Sequence, residues 1–473
     1  MFNYVLYGVL LILVFMLIGL TYRLRNSLSA NLPPGTQESN NSHEHNEKMD
    51  LFQGFIYAAI VLAILLMLGF TWYLLRGTVW EAHLMEWINI MIRLMHITFG
   101  IAWIGASFYF VFLENALNRT ENLRDELAGN LWAIHGGGFY YLEKYKVAPT
   151  TIPKTLHWFK YEAYFTWLTG ISLLFVVYYF NAGSFLIDTN VLIITPVQAI
   201  GIGVASLVVG WFLYHLLCKT PLVKNGLLFC LAGLIIATGF AWFYTHVFSG
   251  RGAFIHFGAL LGTLMVGNVF FIIIPAQKAM VKAAIEGNYL DPALGKFAGL
   301  RSLHNNYLTL PVLFVMVSNH FPSTFGYKQS WIILTIITLG TAGIKHWLNL
   351  REKGRLNIWV LPVSIIILFA AAYLSAPVKP DTNCTEEISF TEVNTIVQKR
   401  CVSCHSSTPT DDVFKVAPNG VKYDIPQDIV RLKDKIMERV VVTQTMPQNN
   451  KTNITQAERD KIGCWIRQGA LIK

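Results

Sequence analysis

The chain has 473 residues, of which 54% are hydrophobic and 14% aromatic, and its formal net charge is +9. So large an apolar fraction excludes an ordinary soluble domain and places most of the chain in a lipid bilayer. The positive charge does not indicate nucleic acid as a partner, because the basic residues lie mostly in short loops between apolar runs and form no cluster on a soluble surface.

Apolar runs of bilayer length recur along the first 376 residues and predict about ten membrane spans. They lie at residues 3–22, 54–75, 88–113, 164–180, 192–217, 226–248, 253–275, 303–318, 331–350 and 358–374. The first run lacks a basic start and a small-residue cleavage site, so we predict a retained transmembrane helix at 1–25. A polar flexible linker at 26–51 and a polytopic membrane domain at 52–376 follow it.

The basic loop residues predict the orientation of the chain. One set of alternate loops holds nearly all of them: Arg23, Arg25, Arg119, Arg124, Lys144, Lys146, Lys154, Lys160, Lys219, Lys224, Lys278, Lys282, Lys296, Arg301, Arg351, Lys353 and Arg355. By the positive-inside rule these loops are cytoplasmic, and ten spans then leave both termini outside. We therefore predict a multi-pass protein of the bacterial inner membrane whose C-terminal region lies in the periplasm.

The pentapeptide CVSCH at residues 401–405 predicts a haem site. Its spacing allows two thioether bonds to the porphyrin vinyl groups while the adjacent imidazole reaches the iron. A redox pair or a zinc site would need a thioredoxin-like context or a second pair of ligands, and the sequence shows neither. We predict one covalent haem c, held by Cys401, Cys404 and His405 in a small class I cytochrome c domain at 377–473.

Met446, which precedes Pro447 in a polar stretch, is the predicted sixth ligand of the iron. The alternative is Met437, but it lies in an apolar helical run at 429–442, where methionine more often packs in a core. A histidine and methionine pair raises the haem potential, which suits an acceptor of electrons from an organic substrate. We therefore assign both His405 and Met446 to the iron.

Two further cysteines flank the same domain. Cys384 precedes its first predicted helix, and Cys464 lies in the last one, at 455–470. Because the first and last helices of cytochrome c folds cross and pack together, we predict a disulfide between these two residues in the oxidising periplasm. The alternative is two unrelated buried thiols.

Polar side chains interrupt the apolar runs at two depths, and such residues are expensive in lipid and therefore indicate function. The outer level holds Arg93, His96, His246, Arg251, His256 and His320, and the inner level holds His215, His304, Asn305 and His346. Histidines at matched depth could ligate a haem b, bind a polar substrate or carry protons. The alternative for any single histidine is a helix-end residue bonded to a carbonyl or to water.

Several longer strings carry a resemblance to a known family. They are HGGGFY at 135–140, HWFKYEAY at 157–164, HNNY at 304–307 and SNHFP at 318–322, together with the haem pentapeptide. In these strings the chain resembles the bacterial membrane-bound urate hydroxylases, in which a multi-span domain is fused to a C-terminal cytochrome c. The resemblance covers the chain from residue 52 to its end. It implies an all-α fold that combines a polytopic transmembrane bundle with a cytochrome c domain.

The resemblance also implies oxidation of urate to 5-hydroxyisourate, with water as the oxygen source. Electrons would leave through the haem to a soluble cytochrome c or the respiratory chain. Urate is a monoanion at neutral pH, so an arginine and a histidine are suitable partners for it. Arg93 with His96 is the first candidate site. The reserve candidates are His256, His304, His320 and His346.

Two questions stay open at this point. A haem b in the membrane domain would store the second of the two electrons, whereas without it the haem c must turn over twice. The same two levels of polar residues and the same haem domain would also suit a quinol-to-cytochrome c oxidoreductase. They would equally suit a transporter or sensor whose haem reports redox state. Reduction of the haem by urate distinguishes these functions from a urate hydroxylase.

Overall fold

A computed structural model describes residues 62–472, apart from 64, 65, 68, 72, 150, 154, 377–383 and 385. The predicted first helix and linker lie outside the described residues. The chain divides into two compact units, Met1–Ile88 and Asn89–Lys473. In the first unit the chain turns at Gly77, whose φ of +78° is one that glycine adopts without strain, and then enters a long helix.

The membrane domain consists mainly of helices. They are α1 (Val79–Ala116), α2 (Tyr161–Leu173), α3 (Ala182–Phe185), α4 (Pro196–Leu217), α5 (Gly226–Val247), α6 (Gly250–Gly267), α7 (Ile274–Ile285), α8 (Pro292–Ser318), α9 (Pro322–Phe325), α10 (Ser330–Glu352) and α11 (Val360–Leu374). Two π-helical segments, Leu174–Tyr179 and Asn268–Ile273, continue α2 and α6, and a 3-10 turn at Pro221–Lys224 precedes α5. Such π-helical segments often occur at functional sites.

Five helices in the described part of the chain are long and apolar enough to cross a membrane: His83–Ala116, Pro196–Leu217, Gly226–Val247, Gly250–Ile285 and Ser330–Glu352. Helix α11 is apolar but shorter. Together they cover the third, fifth, sixth, seventh, ninth and tenth predicted spans, while the fourth and eighth fall on α2 and α8. The mostly helical, membrane-type architecture is confirmed, and the full number of ten spans stays a prediction.

A β-hairpin interrupts the helices, so the prediction of an entirely α-helical fold was wrong at this place. Strand β1 (Leu127–His135) pairs antiparallel with β2 (Gly138–Tyr145). Between them, Gly136 and Gly137 have φ of +58° and +82°, which a two-residue hairpin turn of this type requires. The aromatic residues of both strands also favour extended backbone.

Helix α6 lies at the centre of the membrane domain and packs against α2, α4, α5 and α8. Ser249 fixes its start, because the hydroxyl accepts the Gly252 N–H at 3.0 Å while the Ser249 N–H donates to the Leu186 oxygen at 2.8 Å. The Ser249 hydroxyl also donates to the carbonyl of Phe185 at 2.9 Å. The first turn of α6 is thereby held beside the loop that follows α3.

The C-terminal domain has its own helices and its own core. The helices are α12 (Phe390–Arg400), α13 (Pro426–Arg431), α14 (Lys433–Ile436) and α15 (Gln456–Arg467), with a π-helical segment at Met437–Val442 and 3-10 turns at Pro418–Gly420 and Gln448–Asn450. Capping boxes begin α12 at Ser389 and α15 at Thr455, each with a glutamate three residues later. The first and last of these helices pack against each other.

The predicted disulfide between Cys384 and Cys464 is confirmed, and the Cα atoms of the two residues lie 5.4 Å apart. It joins the segment before α12 to α15. An ion pair between Arg400 and Glu458, at 3.0 Å, links the same two helices near their other ends. The buried Trp465 of α15 packs against Phe390 with ring centroids 5.7 Å apart. The segment 401–405 therefore starts from a firmly held helix.

Candidate functional site

Cys401 and Cys404 follow directly on the end of α12, in a tight turn. The N–H groups of Cys404 and His405 both donate to the carbonyl oxygen of Cys401, at 3.2 and 2.9 Å. Neither thiol is in a disulfide. Burial raises the pKa of the Cys401 thiol to about 12, whereas a reactive redox CxxC pair requires a lowered pKa. The turn thus presents two reduced thiols at the spacing that thioether attachment of a haem needs.

The His405 ring is held by its Nδ1 atom. Nδ1 donates to the carbonyl oxygen of Val421 at 3.1 Å, so this nitrogen carries the proton and Nε2 is left as the ligating atom. Burial lowers the pKa of His405, which favours the neutral imidazole that binds iron. The tautomer and orientation are those expected of a proximal haem ligand.

Met446 is held in the C-terminal domain through its backbone. Its N–H donates to the backbone carbonyl of Arg439 at 3.0 Å, and its own carbonyl accepts from the Arg459 guanidinium at 2.7 Å. Its side chain is half-buried and packs against the domain core, and so does that of Met437. Two thiols, an oriented imidazole and a thioether form a donor set that fits haem c. The choice of Met446 over Met437 stays a prediction.

The segment after Met446 docks onto the membrane domain at the short helix α3. The Ser184 carbonyl accepts hydrogen bonds from the Gln448 and Asn449 side chains at 2.7 and 2.9 Å. The Lys451 ammonium donates to the Ser184 hydroxyl at 3.1 Å and pairs with Asp411 at 2.8 Å. On the other side of Met446, Thr445 approaches Gly326 closely enough that a side chain there would collide with it. The domain therefore presents its Met446 side to the membrane helices.

Directly beneath this contact lies a group of polar side chains that we name the outer cluster: Arg93, Tyr178, Arg251 and Asn319. The Tyr178 hydroxyl and the Arg251 Nε both donate to the Asn319 Oδ1, at 3.2 and 3.3 Å. Arg93 is exposed, donates to Asn89 at 2.7 Å and lies within electrostatic range of Tyr178 and Arg251. Two guanidinium groups therefore share one small region.

The outer cluster is continuous with the C-terminal domain through an aromatic contact. The Arg251 guanidinium carbon lies 5.3 Å from the ring centroid of Phe185. The Phe185 ring in turn lies 5.8 Å from that of Phe414 in the C-terminal domain. Arg251 is thus linked through Phe185 to Phe414 of the C-terminal domain.

His96 lies one helical turn from Arg93 and is half-buried. Its Nδ1 contacts the Thr166 carbonyl at 3.0 Å and the Thr169 hydroxyl at 3.1 Å. The ring fits against Gly170, where an added Cβ would come within 3.0 Å of it. No described residue bonds to its Nε2. This atom is therefore available to a ligand.

His256, one of the reserve candidates, is wholly buried and satisfied at both nitrogens. Nδ1 donates to the Gly252 carbonyl at 2.8 Å, and Nε2 accepts from the Tyr179 hydroxyl at 3.1 Å. The ring occupies space left by Gly203. Because both of its ring nitrogens already have partners, His256 offers no free nitrogen to the iron of a haem b.

The other predicted histidines lie apart from the outer cluster or make no contact with it. His304 bonds to the Tyr214 hydroxyl at 2.9 Å and stacks on Phe229, and the exposed His346 bonds to the Tyr307 hydroxyl at 2.7 Å. His320 is exposed and next to Asn319 in sequence; its N–H donates to the Val317 carbonyl at 3.0 Å, and its ring has no hydrogen bond with a described residue. Each of these contacts is one that a purely structural histidine would also make.

A second polar group, which we name the inner cluster, joins α1, the π-helical end of α6, α8 and α10. Its members are Ser107, Asn268, Arg301, Asn305, Asn306, Lys345 and Asn349. Arg301 donates to Asn268 at 3.2 Å, and Asn268 donates to Asn305 at 2.8 Å. Asn306 bonds to Ser107 at 3.3 Å and accepts from Asn349 at 3.1 Å. Arg301 and Lys345 are both 0% exposed.

Sequence reasoning missed several of these residues. Arg301 had been counted as a cytoplasmic loop residue, but it lies nine residues into α8 and is buried. Lys345, Tyr178 and Asn268 were not singled out. The signals available were the SNHFP string, which contains Asn319, and the HNNY string, which lies one turn after Arg301.

Residues 82–376 match the protein family described as urate oxidase N-terminal. The match covers more than half of the chain and includes both polar clusters. No curated protein and no solved structure matches the chain. The chain therefore belongs to the urate oxidase N-terminal family.

Proposed function

We propose that this urate-related protein oxidises urate in its membrane domain and passes the electrons to a haem c in its C-terminal domain. The balanced reaction is urate plus water giving 5-hydroxyisourate, two protons and two electrons. When bound, the haem supplies a one-electron acceptor, so two transfers are needed for each urate. A soluble cytochrome c or the respiratory chain then receives the electrons.

The observation that carries this proposal is the contact of the outer cluster with the C-terminal domain. The Arg251 guanidinium carbon lies 5.3 Å from the centroid of the Phe185 ring, and that ring lies 5.8 Å from the ring of Phe414. A substrate held at Arg251 would lie directly under the domain that carries the haem pentapeptide. The family match independently supports urate as that substrate.

The side chains of the outer cluster suit an electron-rich anion. The guanidinium groups of Arg93 and Arg251 can donate charge-assisted hydrogen bonds to the urate oxygens. His96, with Nε2 unbonded to described residues, can take a proton from urate or from the attacking water. These assignments extend the Arg93 and His96 site by one arginine that lies closer to the haem domain.

The proposal also includes the arrangement predicted from sequence: about ten spans, an inner-membrane location and a periplasmic cytochrome c domain at 377–473. The five apolar helices and the family match support the membrane part. The thiols, imidazole and thioether of the C-terminal domain support the haem.

Stopped-flow spectroscopy of the purified ferric protein without oxygen tests this function. Urate should reduce the c-type haem band, whereas xanthine, a purine of similar shape, should leave it oxidised. Reduction by a quinol and not by urate would overturn the proposal in favour of a quinol-to-cytochrome c oxidoreductase. Reduction by neither would favour a transporter or sensor.

A further inference from the structure

The inner cluster holds two buried cations, and neither forms a salt bridge with a carboxylate of a described residue. The carboxylate of Glu352 acts on Lys345 only electrostatically, without a direct contact. The nearest hydrogen-bond partners of Arg301 are the neutral side chains of Asn268 and His215, at 3.2 and 3.4 Å. The ammonium of Lys345 has no hydrogen-bond partner in the described part of the chain. Burying a charge in this way is costly unless a counter-charge is present.

Aromatic rings hold both cations in place but do not neutralise them. The Lys345 Nζ lies 3.5 Å from the ring centroid of Phe108. The Arg301 guanidinium lies 5.0 Å from each of the Tyr214 and Phe297 rings. Cation–π contacts fix a position well, yet they leave the hydrogen-bonding capacity of the cation unused.

Three buried polar atoms of the cluster lack a hydrogen bond within the described residues: Arg301 Nε, Lys345 Nζ and Asn349 Oδ1. The first two are donors and the third is an acceptor. Lys345 and Asn349 lie one turn apart on α10, and Asn349 donates to Asn306, which is on the same helix as Arg301. A complementary ligand is an anion that offers oxygen acceptors and at least one N–H group.

We propose that the inner cluster is a second binding site for such an anionic N–H heterocycle, namely urate itself, in the half of the membrane domain nearer the basic loops. The identity of the ligand rests on the proposed function, whereas the anion site rests only on the buried cations and their unpaired atoms. The site is separate from the outer cluster. It would hold urate that has entered from the side of the basic loops before it is oxidised.

Equilibrium dialysis of radiolabelled urate tests the inference on the full-length ferrous protein in lipid nanodiscs. Reduced haem prevents turnover, so binding is measured without chemistry. We expect two urate molecules per chain. Arg301→Gln or Lys345→Gln should weaken one of the two sites about tenfold or more, the loss expected for a charge-assisted bond. Lys353→Gln, an exposed lysine at the end of the same α10 helix, should bind like the parent protein.

Asn349→Leu keeps both cations and removes the unpaired acceptor, so it should weaken the same site even if Arg301→Gln fails to fold. The c-haem spectrum serves as the folding control for every variant. If only one urate binds per chain, and its binding is abolished by Arg251→Gln but unchanged in the inner-cluster variants, the inference is overturned. If only one urate binds per chain, and its binding is lost in Lys345→Gln but retained in Arg251→Gln, the inner site is upheld. The outer cluster is then overturned as the site of oxidation. Displacement of urate by equimolar phosphate would overturn the heterocycle as ligand.

Discussion

The outer and inner clusters each contain two cationic side chains, yet their surroundings differ. Arg251 of the outer cluster contacts Phe185, which leads to the C-terminal domain. Arg301 and Lys345 of the inner cluster are wholly buried among membrane helices and carry unpaired atoms. Charge alone therefore does not locate a redox site. In the proposed function the outer cluster, which contacts the C-terminal domain, is the site of oxidation, and the inner cluster only binds urate.

The largest effect is expected from Arg251→Gln, because it removes the cation that joins the outer cluster to the path toward the haem. The rate of urate-driven haem reduction should fall about 10- to 100-fold, the cost of one or two charge-assisted bonds. Stopped-flow measurement of the c-haem band gives the rate, and reduction by ascorbate is the control. A rate within twofold of the parent would remove the distinction between the clusters.

Lys345→Gln should have a smaller and different effect, since in our proposal the inner cluster binds urate but takes no part in its oxidation. The rate at low urate should fall about tenfold, and the rate at saturating urate should stay the same. Steady-state kinetics with a cytochrome c acceptor separates the two parameters. An equal loss in kcat would mean that the inner cluster takes part in the chemistry.

Lys451→Gln should slow electron transfer a few-fold by loosening the docked C-terminal domain. Burial opposes the charged form of Asp411, but its bond to Lys451 and the N–H groups of Phe414 and Val413 lower its pKa to about 2. Because this pKa is below the ordinary value of 3.8, the ion pair contributes stability above about pH 4 and loses it as the pH falls toward 2.

Burial opposes the charged form of Lys451, but the carboxylates of Asp411 and Asp412 raise its pKa, so the contribution of Lys451 is lost only at alkaline pH. Limited proteolysis between pH 3 and pH 7 measures the docking. Lys461→Gln is the matched control, because Lys461 pairs with Glu392 inside the C-terminal domain. Equal proteolysis of the two variants would contradict a role for Lys451 in docking.

Cys464→Ser should have the smallest effect on activity. It removes the disulfide to Cys384, which closes a loop of about 80 residues, and should lower the free energy of unfolding of the C-terminal domain by about 2–4 kcal/mol. Thermal melting followed at the haem band measures the loss, and the urate-driven rate at 25 °C should be unchanged. A large loss of rate would show that the disulfide positions the haem as well.

The C-terminal domain was the part most accessible from sequence, for a physical reason. The CVSCH pentapeptide, which predicts a covalent haem, is a local pattern, and its His405 is oriented by a hydrogen bond to Val421 only 16 residues away. The disulfide could be predicted because the first and last helices of such a domain pack together. The hairpin was missed because an all-helical reading of the chain gave no weight to a two-glycine turn between aromatic strands.

Only some residues of the two clusters could be predicted from the sequence. Arg93 and His96 stand out within an apolar run, but Asn319 meets Tyr178 through a contact that spans 141 residues, which no local pattern shows. Arg301 was attributed to a loop, because an arginine near the end of a span looks the same whether it is buried or cytoplasmic. The difference is that α8 begins at Pro292, so Arg301 lies well inside the helix.

The most direct test of the central claim is an anaerobic titration of the ferric protein with urate in water labelled with oxygen-18. Each urate should reduce two equivalents of haem c, and one labelled oxygen should appear in the 5-hydroxyisourate formed. A product without the label, or oxidation of urate that leaves the haem ferric, would contradict it.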